Sequence, residues 1–209
     1  MASIHSAEFK TPLSRLSYAK GLFVPGTYQN DPKATPKFNP TLIFPIKEKL
    51  FFEPFLMEVL KQMPKGIERF KAGVINNPLI PGDGPEAKFK DGDRVGEIKP
   101  GLGKEFFFIR PTAQPDKPPA VWWKNPNIQE TEATVYSGCY GKGVLNIYAW
   151  KDGKGISFGI AGFQKHAEGE RLGGAGPIDK EKWSETIADE GEAPAETTGG
   201  KGAGGLFGE

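Results

Sequence analysis

The chain has 209 residues, 37% hydrophobic and 25% charged, which is enough for one ordinary core with a small appendage and too little for a large multidomain enzyme. Its single cysteine, Cys139, excludes an intrachain disulfide, and with only His5 and His166 beside it no Cys/His zinc site can be assembled. No run approaches the ~18 apolar residues of a membrane span and no basic start precedes an apolar core and cleavage site, so a soluble, cytoplasmic protein without membrane contact is expected.

Residues 1–7 read as a loose N-terminus, and Glu8 to Lys10 and Arg15 to Val24 have the mixed texture of short strands. Pro25 to Pro36 reads as a loop. Thr41-Leu42-Ile43-Phe44, rich in β-forming residues and bounded by Pro40 and Pro45, fits another strand. From Lys49 to Met63 the apolar Phe51, Phe52, Phe55, Leu56, Val59, Leu60 and Met63 follow the three-and-four spacing of a helix, with Pro54 in its first turn and a stop near Pro64 and Gly66. Gly and Pro then punctuate residues 73–104, which read as a long loop and a candidate functional arm.

Strand texture returns in Glu105 to Arg110, Ala120 to Lys124, Val135 to Tyr136, Lys142 to Trp150 and Gly155 to His166. The last two flank Lys151-Asp152-Gly153-Lys154, whose Asp-Gly pair is the strongest hairpin signal in the chain. Strands and helix do not alternate, so the expected class is mainly β, a small, partly closed barrel whose leading candidate is a five-stranded OB-fold with one inserted α-helix. Residues 1–176 would form this domain, and residues 177–209, rich in Gly, Glu, Ala and Thr, a disordered acidic tail with room for a short helix around Asp179 to Ala188.

The charge divides at the same place. Residues 1–176 hold 24 Lys and Arg against 18 Asp and Glu, a net of +6, and residues 177–209 hold 3 against 8, a net of −5. A basic body with an acidic appendage suggests a polyanion-binding surface and a tail that competes with the polyanion or recruits proteins; a soluble domain with a disordered end is the plainer alternative.

Enzyme motifs fail one by one. Gly200-x-Gly202-x-x-Gly205 matches a dinucleotide fingerprint but lies in low-complexity sequence with no strand before it. Gly138-Cys139-Tyr140-Gly141-Lys142-Gly143 lacks the hydroxyl residue and glycine spacing of a phosphate loop and reads as a turn. Asp91 and Asp93, with Glu97 nearby, would suit a nuclease metal, yet Asp-Gly-Asp in a polar loop is usually a solvated turn. No neighbour in sequence activates Cys139. No catalytic residue, metal or cofactor is assigned.

Aromatic residues say more. Eleven of the 24 fall between Phe106 and Phe163, in the strand-rich half. Alternation in Val144 to Trp150 puts Leu145, Ile147 and Ala149 on one face and Asn146, Tyr148 and Trp150 on the other. The same rule turns Phe107 and Ile109 inward and groups Phe106, Phe108 and Arg110 outward, while Trp122 shares a face with Lys124. Aromatic faces interleaved with Arg and Lys are what single-stranded nucleic acid needs, since each base offers a π-face and each nucleotide a phosphate. The ordinary alternative is that such rings simply fill a small barrel.

Several segments, in order, resemble a family of phage single-stranded DNA-binding proteins: Arg15 to Tyr18, Leu42 to Pro45, Asp91 to Asp93, Phe106 to Ile109, Val135-Tyr136-Ser137-Gly138-Cys139-Tyr140-Gly141-Lys142-Gly143, Asn146 to Trp150, Lys154 to Ile156 and Gly169 to Gly174. The resemblance spans about residues 9–174. It implies an OB-fold that coats and protects single-stranded DNA in phage replication or recombination, with little sequence preference and no catalysis, in the host cytoplasm. It also implies that Tyr136, Tyr140, Lys142, Tyr148 and Trp150 lie on or beside the DNA-binding sheet, and that the acidic tail recruits replication proteins. Adding the alternation argument, the expected stackers are Tyr136, Tyr140, Tyr148, Trp150, Phe108 and Trp122, and the expected phosphate partners are Lys142, Arg110, Lys124 and Lys151. Two other readings stay open: a phage structural or assembly protein that turns the aromatic β-surface to a protein partner, and a metal-dependent nuclease built on Asp91 and Asp93.

Overall fold

The structure is a computed structural model that describes residues 4–27 and 33–173. The strands are β1 (Phe9–Lys10), β2 (Ser14–Ser17), β3 (Thr41–Pro45), β4 (Ile80–Pro81), β5 (Phe106–Ile109), β6 (Ala120–Trp122), β7 (Tyr140–Ala149) and β8 (Ile156–Ala167). The helices are α1 (Lys49–Gln62) and the short α2 (Gly66–Lys71). The strands form one sheet in the order β4-β5-β3-β2-β7-β8-β6, with β1 beside β2 on the same edge of β7. All pairs are antiparallel except β6 with β8.

The mainly β expectation holds, but the partly closed five-stranded barrel does not: eight strands make an open path. The ends are drawn together only past β5, where Thr112 bridges to Gly159 in parallel; its amide donates to the Phe158 carbonyl (2.9 Å) and its carbonyl accepts from the Ile160 amide (3.1 Å). Pro111, between the end of β5 and Thr112, has no amide to donate to a ladder, which helps to explain why this contact is a single bridge and not a strand.

β7 and β8 form the predicted hairpin and carry its alternation. Leu145, Ile147, Phe158 and Phe163 are buried, while Lys142, Asn146, Tyr148, Ser157 and Gln164 are half-buried on the other face. The inward side meets α1, whose Phe52, Leu56, Val59 and Leu60 are buried. Phe52 stands edge-on to Phe44 (5.2 Å between ring centroids), Phe107 (5.8 Å) and Phe158 (5.7 Å), joining α1 to β3, β5 and β8 at one point. Phe9 of β1 stacks on Phe55 at 3.9 Å.

Several local expectations are corrected. Residues 4–7 are not loose: the Ser6 amide donates to the Ile147 carbonyl (2.8 Å), the Ile147 amide donates to Ser6 Oγ (2.9 Å), and the Ala149 amide donates to the Ile4 carbonyl (2.9 Å). β2 stops at Ser17, because Tyr18 adopts a left-handed conformation (φ 51) and a 3-10 turn follows over Ala19–Leu22. α1 begins at Lys49 as expected, but Pro54 then falls in its second turn and not its first; it deprives the Leu50 carbonyl of a donor, and Leu50 is 75% exposed, on the solvent side. Val135 and Tyr136 form no strand; Val135 ends a turn in which its amide donates to the Thr131 carbonyl (2.9 Å). The candidate helix at Asp179 to Ala188 and the acidic tail lie outside the described residues.

Truncating Phe52 removes the ring that meets three strands, so Phe52→Ala is expected to cost about 3–5 kcal/mol of stability in urea denaturation. Leu50→Ala, on the exposed side of the same helix, should change it by about 0.5 kcal/mol or less.

Candidate nucleic-acid interface

The turn after β7 places Trp150 at the mouth of a cleft of about 680 Å³. The indole lies over Gly155, where a Cβ would come within 2.6 Å of the ring, so no larger residue fits there without displacing it. Its Nε1 donates to Ser157 Oγ (2.7 Å), and the residue remains 43% exposed. Tyr148, one outward position earlier on β7, shares a hydrogen bond with Thr112 Oγ1 (3.2 Å), and Thr112 lines the same cleft. The hairpin is anchored from outside the sheet: Arg69 of α2 donates to the Gly153 carbonyl (2.9 Å), and the Ile156 amide donates to Asn76 Oδ1 (3.1 Å). The cleft therefore has a fixed aromatic at its mouth.

Its polar walls come from remote segments. Lys37 and Asn39 arrive from the connection before β3, Asn77 from the loop after α2, and Arg110 from the end of β5. Arg110 is paired with Glu86 (2.8 Å) and lies over the Phe108 ring, 5.0 Å from its centroid. Lys99 adds positive charge next to Arg110; burial first, and then Arg110 and Lys90, hold its pKa below the usual lysine range. Lys151 is exposed on the hairpin turn beside Trp150.

Phe108 is corrected. It is 1% exposed, packed with Ile43, Ala87, Ile80, Leu102 and Leu172, because the arm after β4 folds over the outer face of β3 and β5. With both faces of β5 covered, Phe107, Phe108 and Ile109 are all buried and alternation loses its meaning there.

The other expected residues fall into two groups away from the cleft. Tyr136 is half-buried; its hydroxyl donates to the Gly169 carbonyl (2.8 Å) and Arg171 lies over its ring at 4.2 Å. Tyr140 stands under Arg15 (5.8 Å), whose Nη2 donates to the Glu170 carbonyl (2.8 Å). Both tyrosines thus hold the 168–171 segment. Next to them a recess of about 360 Å³ contains Trp123, Glu130, Lys165, Glu168 and Arg171. Lys165, 3% exposed, donates to Glu168 (2.6 Å) and to the Thr134 carbonyl (2.7 Å), and this hydrogen bond is the main reason the Glu168 pKa is lowered. Two acids against two bases give that recess no net pull on a polyanion.

Lys142, Trp122 and Lys124 belong to the second group. Lys142, Gln164 and Trp122 lie side by side across β7, β8 and β6, and Lys124 follows β6. Lys10, His166 and Gln164 join them and were not legible from local pattern, since they come from opposite ends of the chain. Among the described residues no three His, Cys, Asp or Glu side chains come together to hold a metal, and Glu97 is paired with Arg94 (2.7 Å). No helix among them is long and apolar enough to cross a membrane.

The His166 pKa is lowered by burial first and then by Lys142, Lys10 and Lys124. The folded state therefore binds this proton less readily than the unfolded chain. The associated stability is present above the unfolded value of about 6.5 and lost as the pH falls through the folded one. Thermal melts between pH 7.5 and 5 should show this loss, and His166→Gln should reduce it.

A family model described as the single-stranded DNA-binding protein of Enterobacter phage Enc34 matches residues 7–193. Among solved structures, the single-stranded DNA-binding protein from bacteriophage Enc34 in complex with single-stranded DNA is 20% identical, with 79% of this chain and 89% of that chain covered and a TM-score of 0.52. The same phage protein in a structure without DNA in its description is 22% identical, with 84% and 89% covered and a TM-score of 0.49. The bacteriophage T7 single-stranded DNA-binding protein gp2.5 is 16% identical, with 91% and 100% covered and a TM-score of 0.42. No curated protein matches this chain. With the family match running from before β1 to beyond the last described residue, the chain belongs to the family of the Enterobacter phage Enc34 single-stranded DNA-binding protein.

Proposed function

We propose that this protein binds single-stranded DNA without sequence preference, coating and protecting it during phage replication or recombination, as a binding protein and not an enzyme. Family membership supplies the ligand class, and the observation that carries the reading to particular residues is the cleft headed by Trp150. A ring fixed on one side, in a residue 43% exposed, offers a base a stacking surface that needs no ordering on binding. Tyr148 stands beside it through Thr112, Lys37 and the Glu86-paired Arg110 would meet the sugar-phosphate side, and Lys151 lies on the adjoining turn. The amides of Asn39 and Asn77 can donate to or accept from any base edge, which suits binding that ignores sequence.

The OB-type reading of the body belongs to the same proposal. It is read as an open form of that fold and is supported by the Thr112–Gly159 bridge, which draws the segment past β5 against β8 without closing the sheet. On this view residues 1–176 are the binding domain, and residues 177–209, with their net −5, compete with DNA or recruit replication proteins. The setting is the host cytoplasm.

The test is a titration of intrinsic tryptophan fluorescence with oligo-dT at low and high salt, on the wild type and Trp150→Ala. Single-stranded DNA should bind more tightly than duplex and more weakly as salt rises. The substitution should cost about 1–3 kcal/mol. Unchanged affinity in a folded Trp150→Ala variant would remove the cleft from the account.

A further inference from the structure

Three lysines from three separate segments converge on one imidazole, at the end of β7 away from the cleft. Lys10 of β1, Lys142 of β7 and Lys124 just past β6, whose ammonium lies over the Trp123 ring at 5.6 Å, gather around His166 of β8, where burial first and then these three charges disfavour the charged imidazole. Among the described residues none of the three has a carboxylate within ion-pair distance, whereas Arg94, Arg110 and Lys165 each do. Gln164 organises the group. Its Oε1 accepts from Lys10 Nζ (2.5 Å) and lies 3.3 Å from His166 Nε2, and its Nε2 donates to the Lys124 carbonyl (3.2 Å). Trp122, half-buried opposite Gln164, lies over Gly162, where a Cβ would stand 2.6 Å from the ring.

We propose that Lys10, Lys124, Lys142 and His166, with Trp122 beside them, form a second phosphate-binding patch that holds the same single strand after it leaves the Trp150 cleft. The proposal rests on the single-stranded DNA reading and extends it. Like charges gathered without counter-charges repel one another, and a polyanion relieves that repulsion. The ground between the two sites suits a polynucleotide. From Lys142 to Tyr148 the sheet runs about 20 Å at ~3.3 Å per residue, and the outward pairs on the way are Val144 with Gly162 and Asn146 with Gly159. Neither pair carries a carboxylate. An acidic peptide docked on the lysines would have no use for this track or for the second aromatic, whereas a DNA strand uses both.

The test compares oligo-dT of about 5 and about 16 nucleotides, near the two ends of the range that one OB-type domain occludes. Each is titrated over a salt series with wild type, Trp150→Ala and the triple variant K10Q/K124Q/K142Q, whose fold is checked by circular dichroism. Each phosphate contact adds about 0.7 to the slope of log affinity against log salt for single strands. The triple variant should therefore lose about 2 from the slope with the long strand and nothing with the short one, while Trp150→Ala weakens both. An unchanged long-strand slope, with binding still dependent on Trp150, would overturn the patch and leave the function standing. Equal losses on both strands would make the lysines part of one site and overturn the separation. If a Glu-rich peptide loses its binding in the triple variant while the DNA slopes stay put, the patch belongs to a peptide and the proposal fails. Should wild type bind neither strand, the function itself falls.

Discussion

The period-two alternation of the β7–β8 hairpin is the constraint on which the rest of the structure depends. Leu145, Ile147, Phe158 and Phe163 point to the core only in this register; a slip of one residue would bury Asn146 and Tyr148 and expose the leucine and isoleucine. Phe52 locks the choice from the inside by meeting Phe44, Phe107 and Phe158 together. The same register sets the outer face, where Tyr148 lies next to the cleft and Lys142 beside Gln164. Two register shifts adjust that face. One, between Val144 and Leu145, leaves Ala161 outside the ladder, and the other, between Tyr140 and Gly141, does the same for His166. At Gly141 a Cβ would run into the Phe163 ring, so the glycine lets the strands close over the core at the second shift.

Much of this was legible in the sequence where one physical rule acted alone. The helix at Lys49 was written in the spacing of Phe52, Leu56, Val59 and Leu60, and the hairpin in Asp152-Gly153 between alternating runs. The rule failed at β5, because Phe107 and Phe108 are both buried, one under α1 and the other under the arm that carries Ala87 and Leu102. Nothing local to Phe106–Ile109 announces that second cover. The short α2 was also missed, since Ile67 and Phe70 alone give too little periodicity, although its Arg69 fixes the turn that presents Trp150.

The candidate surface was less legible in arrangement than in residue type. Trp150 and Arg110 line one cleft and Tyr148 reaches it only through Thr112, while Lys37, Asn39 and Asn77 complete it from two other segments. Tyr136 and Tyr140 are engaged with Gly169, Arg171 and Arg15, so their rings support the return of the chain after β8. Lys142 and Trp122 stand together with Lys10 and His166, which only the parallel pairing of β6 and the attachment of β1 bring near. Charge follows the same division: the recess at Lys165 is balanced internally and Arg110 in the cleft is paired with Glu86, whereas among the described residues the lysine group has no carboxylate within ion-pair distance.

Whether DNA lies in the cleft at Trp150 is decided by photo-crosslinking of a bromodeoxyuridine-substituted oligonucleotide, followed by mass-spectrometric mapping of the modified peptides. With DNA in the cleft, crosslinks fall on the peptide that spans Tyr148 and Trp150. Crosslinks confined to the peptides of Tyr136 and Tyr140, with none at Trp150, would contradict it.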